Sequence, residues 1–264
     1  MSSNVDTTTD VIAGKLAEHR VNLMRVAAHI STLVNAILTD LQNEIIYRLR
    51  STDLTSFQQF KLASLLTDIG NEIAYSMNEA STLIDENMTD VSGTEALVVA
   101  QIINSVLGMD VMNGDLPNET TQQIVDDLMV QGAPIGDYLN QQGSDLQFRI
   151  AQQLRMGVAA DDSMSELEDR IIGAGGDPGV FGKTNSMMDL LVGTALATVV
   201  NDTRSAVYDQ NDVAHMVWYT IMDGDECPEC ADLNGEVDPD DEPPLHPNCR
   251  CDLVPQVAAE AQIE

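Results

Sequence analysis

The stretch Asp225-Glu226-Cys227-Pro228-Glu229-Cys230, answered by His246-Pro247-Asn248-Cys249-Arg250-Cys251, decides how the C-terminal part of this chain is built. All four cysteines lie in it, with one of the four histidines. Two thiols separated by a proline-containing pair form a knuckle, because a tight turn brings both sulfurs toward one point. The second cluster, returning after a polar loop, can complete a tetrahedron of sulfur and nitrogen donors around a structural Zn2+. A disulfide within Cys-x-x-Cys or Cys-x-Cys would close a very small, strained loop, and cross-paired disulfides would leave His246 without a role. Inert or redox thiols would seldom cluster so tightly in a chain otherwise empty of cysteine. Five candidates, Cys227, Cys230, His246, Cys249 and Cys251, therefore compete for four places. His246 and Cys249 have knuckle spacing, while Cys249 and Cys251 point the same way on an extended strand. The sequence leaves open which of the five is left out.

Upstream, Val217-Trp218-Tyr219-Thr220-Ile221 reads as a β-type run carrying the only Trp. Cys249 to Val254 can return as a strand beside it, before Pro255 and an acidic tail, 256–264. The loop between holds Glu229, Asp232, Glu236, Asp238, Asp240, Asp241 and Glu242, which could not collapse into a core unaided. A metal supplies the folding free energy such a segment lacks. These features delimit a small β/zinc module over 217–255.

The rest of the chain is patterned for helices, so the expected fold is mostly α with a small β/zinc module. Asp10 can cap a long helix to about Arg50, in which Leu16, Leu23, Ile30 and Ile37 recur every seven residues and Val26, Leu33, Ala27, Val34 and Leu41 broaden the stripe. After Thr52-Asp53 a second helix is expected from Leu54 to Asn87, with Leu62, Leu65, Leu66, Ile69, Ile73 and Met77 on its buried face. Together they make an antiparallel hairpin. A helix of about forty residues extends about 60 Å, a length that suits a rod in an assembly. Ser92-Gly93-Thr94-Glu95 has capping-box spacing and predicts a separate helix through Val106. Asn118 is the expected cap of a helix ending near Gln131. Gly132-Ala133-Pro134 is the clearest break, dividing an N-terminal helical region, 1–131, from an α+β domain, 132–255.

Beyond the break, Asp145 to Val158 reads as a helix, and Ser163-Met164-Ser165-Glu166 is a second capping box, opening a helix that closes at Gly173. The glycine-rich loop from Gly173 ends in Gly182-Lys183-Thr184, which invites a phosphate-loop reading. The position needing glycine is Asp177, however, and the residues before the loop are helical rather than a buried strand. Ser186 to Asp212 is an apolar helix.

Charge is the strongest compositional signal: 43 acids oppose 12 bases, for a formal net charge of −31. Only Lys15, Lys61 and Lys183 are lysines. Such a surface is adapted to molar salt, where the screening length of about 3 Å removes self-repulsion, which indicates a halophilic protein. Aromatics are 4% of residues, so the core must come from Leu, Ile, Val, Ala and Met. No uninterrupted run of eighteen apolar residues occurs, so no membrane span is expected, and the first residues lack the pattern of a signal peptide. Residues 1–61 balance six bases against six acids. Arg20, Arg25, Arg48 and Arg50 are the candidates for contact with DNA as a polyanion, but pairing with acids on a neighbouring helix is the preferred reading.

With these residues laid out, 132–255 resembles the C-terminal domain of the Mu F-like minor head proteins, the phage head morphogenesis family of tailed viruses. That domain ends with a Trp on a strand, an acid, Cys-x-x-Cys, an Asn-Gly turn and Pro-Pro-Leu-His-Pro-Asn-Cys-Arg-Cys. Here these are Trp218, Asp223 or Asp225, Cys227 with Cys230, Asn234-Gly235, and Pro243 through Cys251 in unbroken order. The segment from Tyr138 through Arg149, Arg155, Gly157 and Ser163 to Ile171 is similar more weakly. The family's Arg-Thr-acid triplet in the helix before the Trp strand is replaced by Val200-Asn201-Asp202. The resemblance implies a minor structural head protein of a tailed virus, located in the virion near the portal vertex. Its implied partners are the portal protein and the major capsid protein. A role in head assembly follows, with genome packaging or ejection compatible with that position. Joined to the salt-adapted composition, it points to a virus of a haloarchaeon.

On this reading the chain is not an enzyme, since a saturated four-ligand zinc has no open position. The alternative is a zinc-braced nuclease or other metal-dependent hydrolase with His246 as general base. It needs a second catalytic group and an electropositive nucleic-acid path, neither of which the sequence displays.

Overall fold

The apolar periodicity of the first hundred residues folds into two helices rather than three: α1 (Thr7–Ser51) and α2 (Gln58–Leu107). The protein is described by a computed structural model over residues 7–52, 58–130, 132–222, 224, 226–247 and 249–257. The expected turn at Asp53, the helix start at Leu54, Asp223, Asp225, Asn248 and the tail beyond 257 lie outside the described residues. The remaining helices are α3 (Asn118–Asp126), α4 (Ile135–Ala159), α5 (Met164–Ile172), α6 (Phe181–Gln210) and α7 (Pro228–Leu233). Among the described residues there are also four short strands: β1 (Met129–Val130), β2 (Ala133–Pro134), β3 (Met216–Tyr219) and β4 (Asp252–Pro255). This is the mostly helical fold with a small β module that the sequence led to.

Three local expectations are corrected. Ser92-Gly93-Thr94-Glu95 does not open a helix but lies inside α2, because its polar side chains are used sideways. Ser92 is fully buried and its hydroxyl sits 2.8 Å from that of Thr203, while Glu95 is buried in an ion network described below. Asn118 is not a cap: Pro117 occupies the N-cap position with no side-chain hydrogen bond, and Asn118 is the first helical residue. The seven-residue register of Leu16, Leu23 and Ile30 is buried, but it then moves to Val34, Leu38, Leu41, Ile45 and Leu49, leaving Ile37 half-buried and Val26 exposed. A straight helix at 3.6 residues per turn drifts off a strict seven-residue repeat. By length and composition alone α1 also contains one 18-residue window apolar enough to cross a membrane, with mean hydropathy 1.3. Asn22, Arg25 and His29 are exposed along it.

The chain divides into two units, each built from separated segments: 1–28, 85–132 and 191–264 in one, 29–84 and 133–190 in the other. One crossing coincides with the break at Gly132; the other three fall inside α1, α2 and α6. In each unit a segment of α1 pairs with a segment of α2.

In the second unit Arg48 of α1 pairs with Glu72 of α2, and Arg50 forms a two-pronged contact with both carboxylate oxygens of Glu168, 2.7 Å each. Helix α4 packs closely on α2 at Gly143, where an added Cβ would stand 3.0 Å from Met77 and 3.3 Å from Ile73. Ser163 caps α5 with the full reciprocal capping box, and Gly173 ends it at φ 86°, as the sequence predicts. Helix α6 begins at Phe181, so Gly182-Lys183-Thr184 forms its first turn. Thr184 is buried and its hydroxyl accepts from Arg149 at 2.7 Å, an arginine that also donates to the Val180 carbonyl. The hydroxyl a phosphate loop would need is thus committed to an internal bond.

In the first unit Ile12, Ala13 and Leu16 of α1 meet Ala96, Val99, Ala100 and Ile103 of α2, together with Val207 and Tyr208 of α6 and Val254 of β4. Strands β3 and β4 are antiparallel, with Trp218 opposite Leu253 and Tyr219 opposite Asp252. The other edge of β3 takes backbone bonds from Gly235 and Asp238, with Gly235 at φ 87° in the Asn-Gly turn.

Candidate metal centre

The first half of the site is made by α7. Cys227 is its N-cap, with its sulfur accepting the Cys230 N–H at 3.2 Å and Pro228 in the first helical position. Proline fits there because that N–H has no helical partner. The turn therefore holds Cys227 and Cys230 on one side without help from elsewhere. The second half arrives on the extended segment leading into β4.

Side by side, the five sequence candidates form two triads that share Cys230. Cys227, Cys230 and His246 make one, Cys230, Cys249 and Cys251 the other, and within each the donor atoms lie within 4.8 Å of one another. Cys230 Sγ stands 3.3 Å from His246 Nε2 and 3.8 Å from Cys249 Sγ. Such separations match the edges of a tetrahedron with metal–sulfur bonds of about 2.3 Å and metal–nitrogen bonds of about 2.0 Å. All four cysteines are free thiols. His246 Nδ1 lies 2.9 Å from the Pro247 carbonyl, so that nitrogen carries the proton and Nε2 turns its lone pair toward Cys230. With both ring nitrogens engaged, His246 has none directed at a substrate water.

Four thiols in one place cannot all ionise. Cys249 is pushed down to about 5, first by the hydrogen bond with the Cys251 thiol, and Cys227 is lowered by the Cys230 N–H. Cys230 is pushed up to about 12 by burial, and Cys251 is raised by its contact with Cys249. A divalent cation would remove this conflict by neutralising thiolates together. The donor set and the spacing fit a metal ion.

Around the sulfurs, Trp218, Cys230, Cys249, Cys251 and Leu253 form one buried cluster. Thr220 ties it together. Its hydroxyl accepts from Trp218 Nε1 at 3.0 Å, donates to the Cys230 carbonyl at 2.7 Å and lies 3.4 Å from Cys251 Sγ.

The residues that sequence reasoning missed lie one layer further in. Arg204 is fully buried and bonds Glu95 Oε1 from Nε at 2.6 Å, while its Nη1 lies 2.8 Å from Asp252 Oδ1. Glu95 Oε2 is 2.7 Å from His19 Nε2. Asp252 also receives Arg20, whose Nη2 donates to the Cys249 carbonyl at 2.9 Å and whose Nη1 donates to the Cys251 carbonyl at 3.2 Å. Burial alone would raise the Glu95 pKa, but the Arg204 charge and the bond with His19 outweigh it and hold it below the usual range. The same opposition leaves Arg204 raised, since Asp252 and Glu95 overcome its desolvation.

Of the arginines considered for DNA, then, Arg20, Arg48 and Arg50 are engaged by carboxylates, and Arg25 donates to Asn22 Oδ1 at 2.9 Å. A sequence signal existed for Arg20, which falls on the apolar stripe between Leu16 and Leu23. Helix α6, which leads to the Trp strand, carries a fully buried arginine in Arg204.

Comparison with protein-family models, curated proteins and solved structures found no match to this chain.

Proposed function

We propose that this chain is a minor structural head protein of a tailed virus, associated with the portal vertex, whose C-terminal module is clamped by a structural zinc. The observation that carries the clamp is the gathering of Cys227, Cys230, His246, Cys249 and Cys251 around Cys230, with His246 already oriented to offer Nε2. Four of the five would hold Zn2+, which would supply a fixed charge-neutralising crosslink and no chemistry. Support for the virion role comes from the resemblance of the Trp218, Cys-x-x-Cys and His-Pro-Asn-Cys-Arg-Cys pattern to the Mu F-like domain, and from the mostly helical fold that carries it. The acidic, lysine-poor surface supports a haloarchaeal host.

Two measurements test the parts separately. Metal analysis of the purified full-length protein is expected to give one zinc per chain, lost in a Cys227→Ser, Cys230→Ser double variant; a metal-free wild-type protein would overturn the clamp. Mass spectrometry of purified virions, with crosslinking, is expected to place the chain beside the portal. Particles lacking it would overturn the head-protein reading.

A further inference from the structure

The two halves of the cysteine site differ in what holds them. Cys227 and Cys230 are set by their own helical turn. Cys249 and Cys251 sit on an extended segment, where their thiols meet each other, Cys230 and Thr220, and the Cys249 sulfur also takes backbone bonds from Cys251 and Leu245. Their backbone is held by the Cys249 N–H donating to the His246 carbonyl, by Asn201 Nδ2 reaching the Cys251 carbonyl at 3.5 Å, and above all by Arg20 on α1, which engages both carbonyls from 229 and 231 residues away. Its guanidinium donates from Nη2 to the Cys249 carbonyl and from Nη1 to the Cys251 carbonyl, and the same group is paired with Asp252.

We infer that Arg20 is a positioning residue of the metal centre. It orients the Cys249-Arg250-Cys251 half for metal binding by gripping the carbonyls of both cysteines. The geometry suits arginine alone. A planar fork with several donors can hold two carbonyls and a carboxylate at once, whereas a lysine ammonium is a single point on a flexible stem. Holding both carbonyls fixes the peptide planes on either side of Arg250, and with them the directions in which the two sulfurs leave the backbone. The network behind Arg20 keeps the grip in place. Asp252 is shared with Arg204, Arg204 with Glu95, and Glu95 with His19, so the guanidinium is anchored to α1, α2, α6 and β4 together. The metal module is accordingly not a free knob but a part of the helical unit that surrounds it.

The inference rests on the zinc reading, and the experiment separates the two. Zinc affinity is measured on the full-length protein by competition with a chromophoric chelator, with the visible spectrum of the Co2+ form as a report on ligand geometry. The variants are Arg20→Lys, which keeps the charge beside Asp252 but loses the fork, and Arg50→Lys, which loses a fork of the same kind, on Glu168 in the second unit, without touching a ligand carbonyl. Wild-type protein that binds no zinc refutes the underlying reading. With zinc bound by the wild type, Arg20→Lys is expected to weaken affinity about 10- to 100-fold, the usual effect of losing a group that orients a ligand, and to alter the Co2+ spectrum. Arg50→Lys is expected to leave both unchanged. Equal affinity in Arg20→Lys, or equal weakening in both variants, overturns the assignment. A measurement on the wild type alone covers the case of a variant that does not fold. On removal of zinc, hydrogen exchange should quicken over 246–254 and over the α1 segment around Arg20 together; quickening confined to 246–254 overturns it.

Discussion

Replacing Glu95 by glutamine discriminates between two roles for one residue. As the third helical residue of a capping box, Glu95 would contribute about 0.5–2 kcal/mol, the range for helix caps. As the buried partner of Arg204 it contributes more. Its side chain and that of Arg204 are each 1% exposed, so the substitution leaves two buried guanidiniums, Arg20 and Arg204, sharing the one carboxylate of Asp252. Breaking a buried pair by removing one member costs about 3–5 kcal/mol, because the surviving charge is uncompensated. For a chain of this size that is a fall in Tm of about 6–20 °C. Trp218, the single Trp, lies in the same unit, so its fluorescence follows the relevant transition in a denaturant or thermal melt. The pH dependence gives a second handle. Because the folded pKa of Glu95 is depressed, its contribution is present above the unfolded value and is lost as pH falls through the folded one. The variant should therefore show a flatter acid limb. Its deficit should also persist between about 0.1 and 1 M salt, since buried pairs are screened little. A loss below about 1 kcal/mol, or one that salt abolishes, would refute the ion-network account.

Asp202 predicts a gain instead. Burial, and then Glu242, push its pKa up to about 6; the folded state holds this proton more tightly than the unfolded chain, so stability falls as pH rises from the ordinary carboxylate range through about 6. Asp202→Asn is expected to stabilise by about 1–2 kcal/mol at pH 7.5, discounted for its partial exposure, and to melt like the wild type below about pH 4; no gain at pH 7.5 would contradict the assignment. The net charge of −31 predicts that wild-type Tm rises with sodium chloride between about 0.1 and 1 M, as the screening length shortens from about 10 to about 3 Å. A Tm that is flat across this range would remove the salt-adaptation argument.

How far the sequence could be read depended on whether a signal was local. Ser163-Met164-Ser165-Glu166 and Gly173 delimit α5 because a capping box and a left-handed glycine stop are decided within a few residues. Cys227-Pro228-Glu229-Cys230 was legible for the same reason: the turn that aims both sulfurs is self-contained. Ser92-Gly93-Thr94-Glu95 has the same spelling as the α5 box, yet it runs through the middle of α2. There Thr203 and Arg204, more than a hundred residues on, supply the partners, and nothing in the four letters distinguishes a cap from a buried polar row. Arg20 marks the boundary between these cases. Its place on the apolar stripe of α1 was visible, and only the fold could show that Asp252 and two cysteine carbonyls waited opposite it.

The placement of the arginines follows from the acidity of the chain. With 43 acids against 12 bases, surface ion pairs can neutralise only a small part of the charge, and in concentrated salt an exposed pair contributes little. A cation withdrawn from solvent is screened much less and interacts more strongly with its partner. Arg20 and Arg204 are the two most buried cations of the first unit, and each is spent where the chain must join elements remote in sequence: α1 to β4, and α6 to α2 and β4. The sulfur cluster meets the same constraint by other means. The largest influences on its thiols are burial, the neighbouring thiols, and hydrogen bonds from backbone groups, Thr220 and His246, and Cys249 already leans toward the thiolate. With Arg20 committed to two backbone carbonyls and to Asp252, a bound divalent ion would be the positive charge best placed to neutralise the thiolates and close the acidic loop between Cys230 and Cys249.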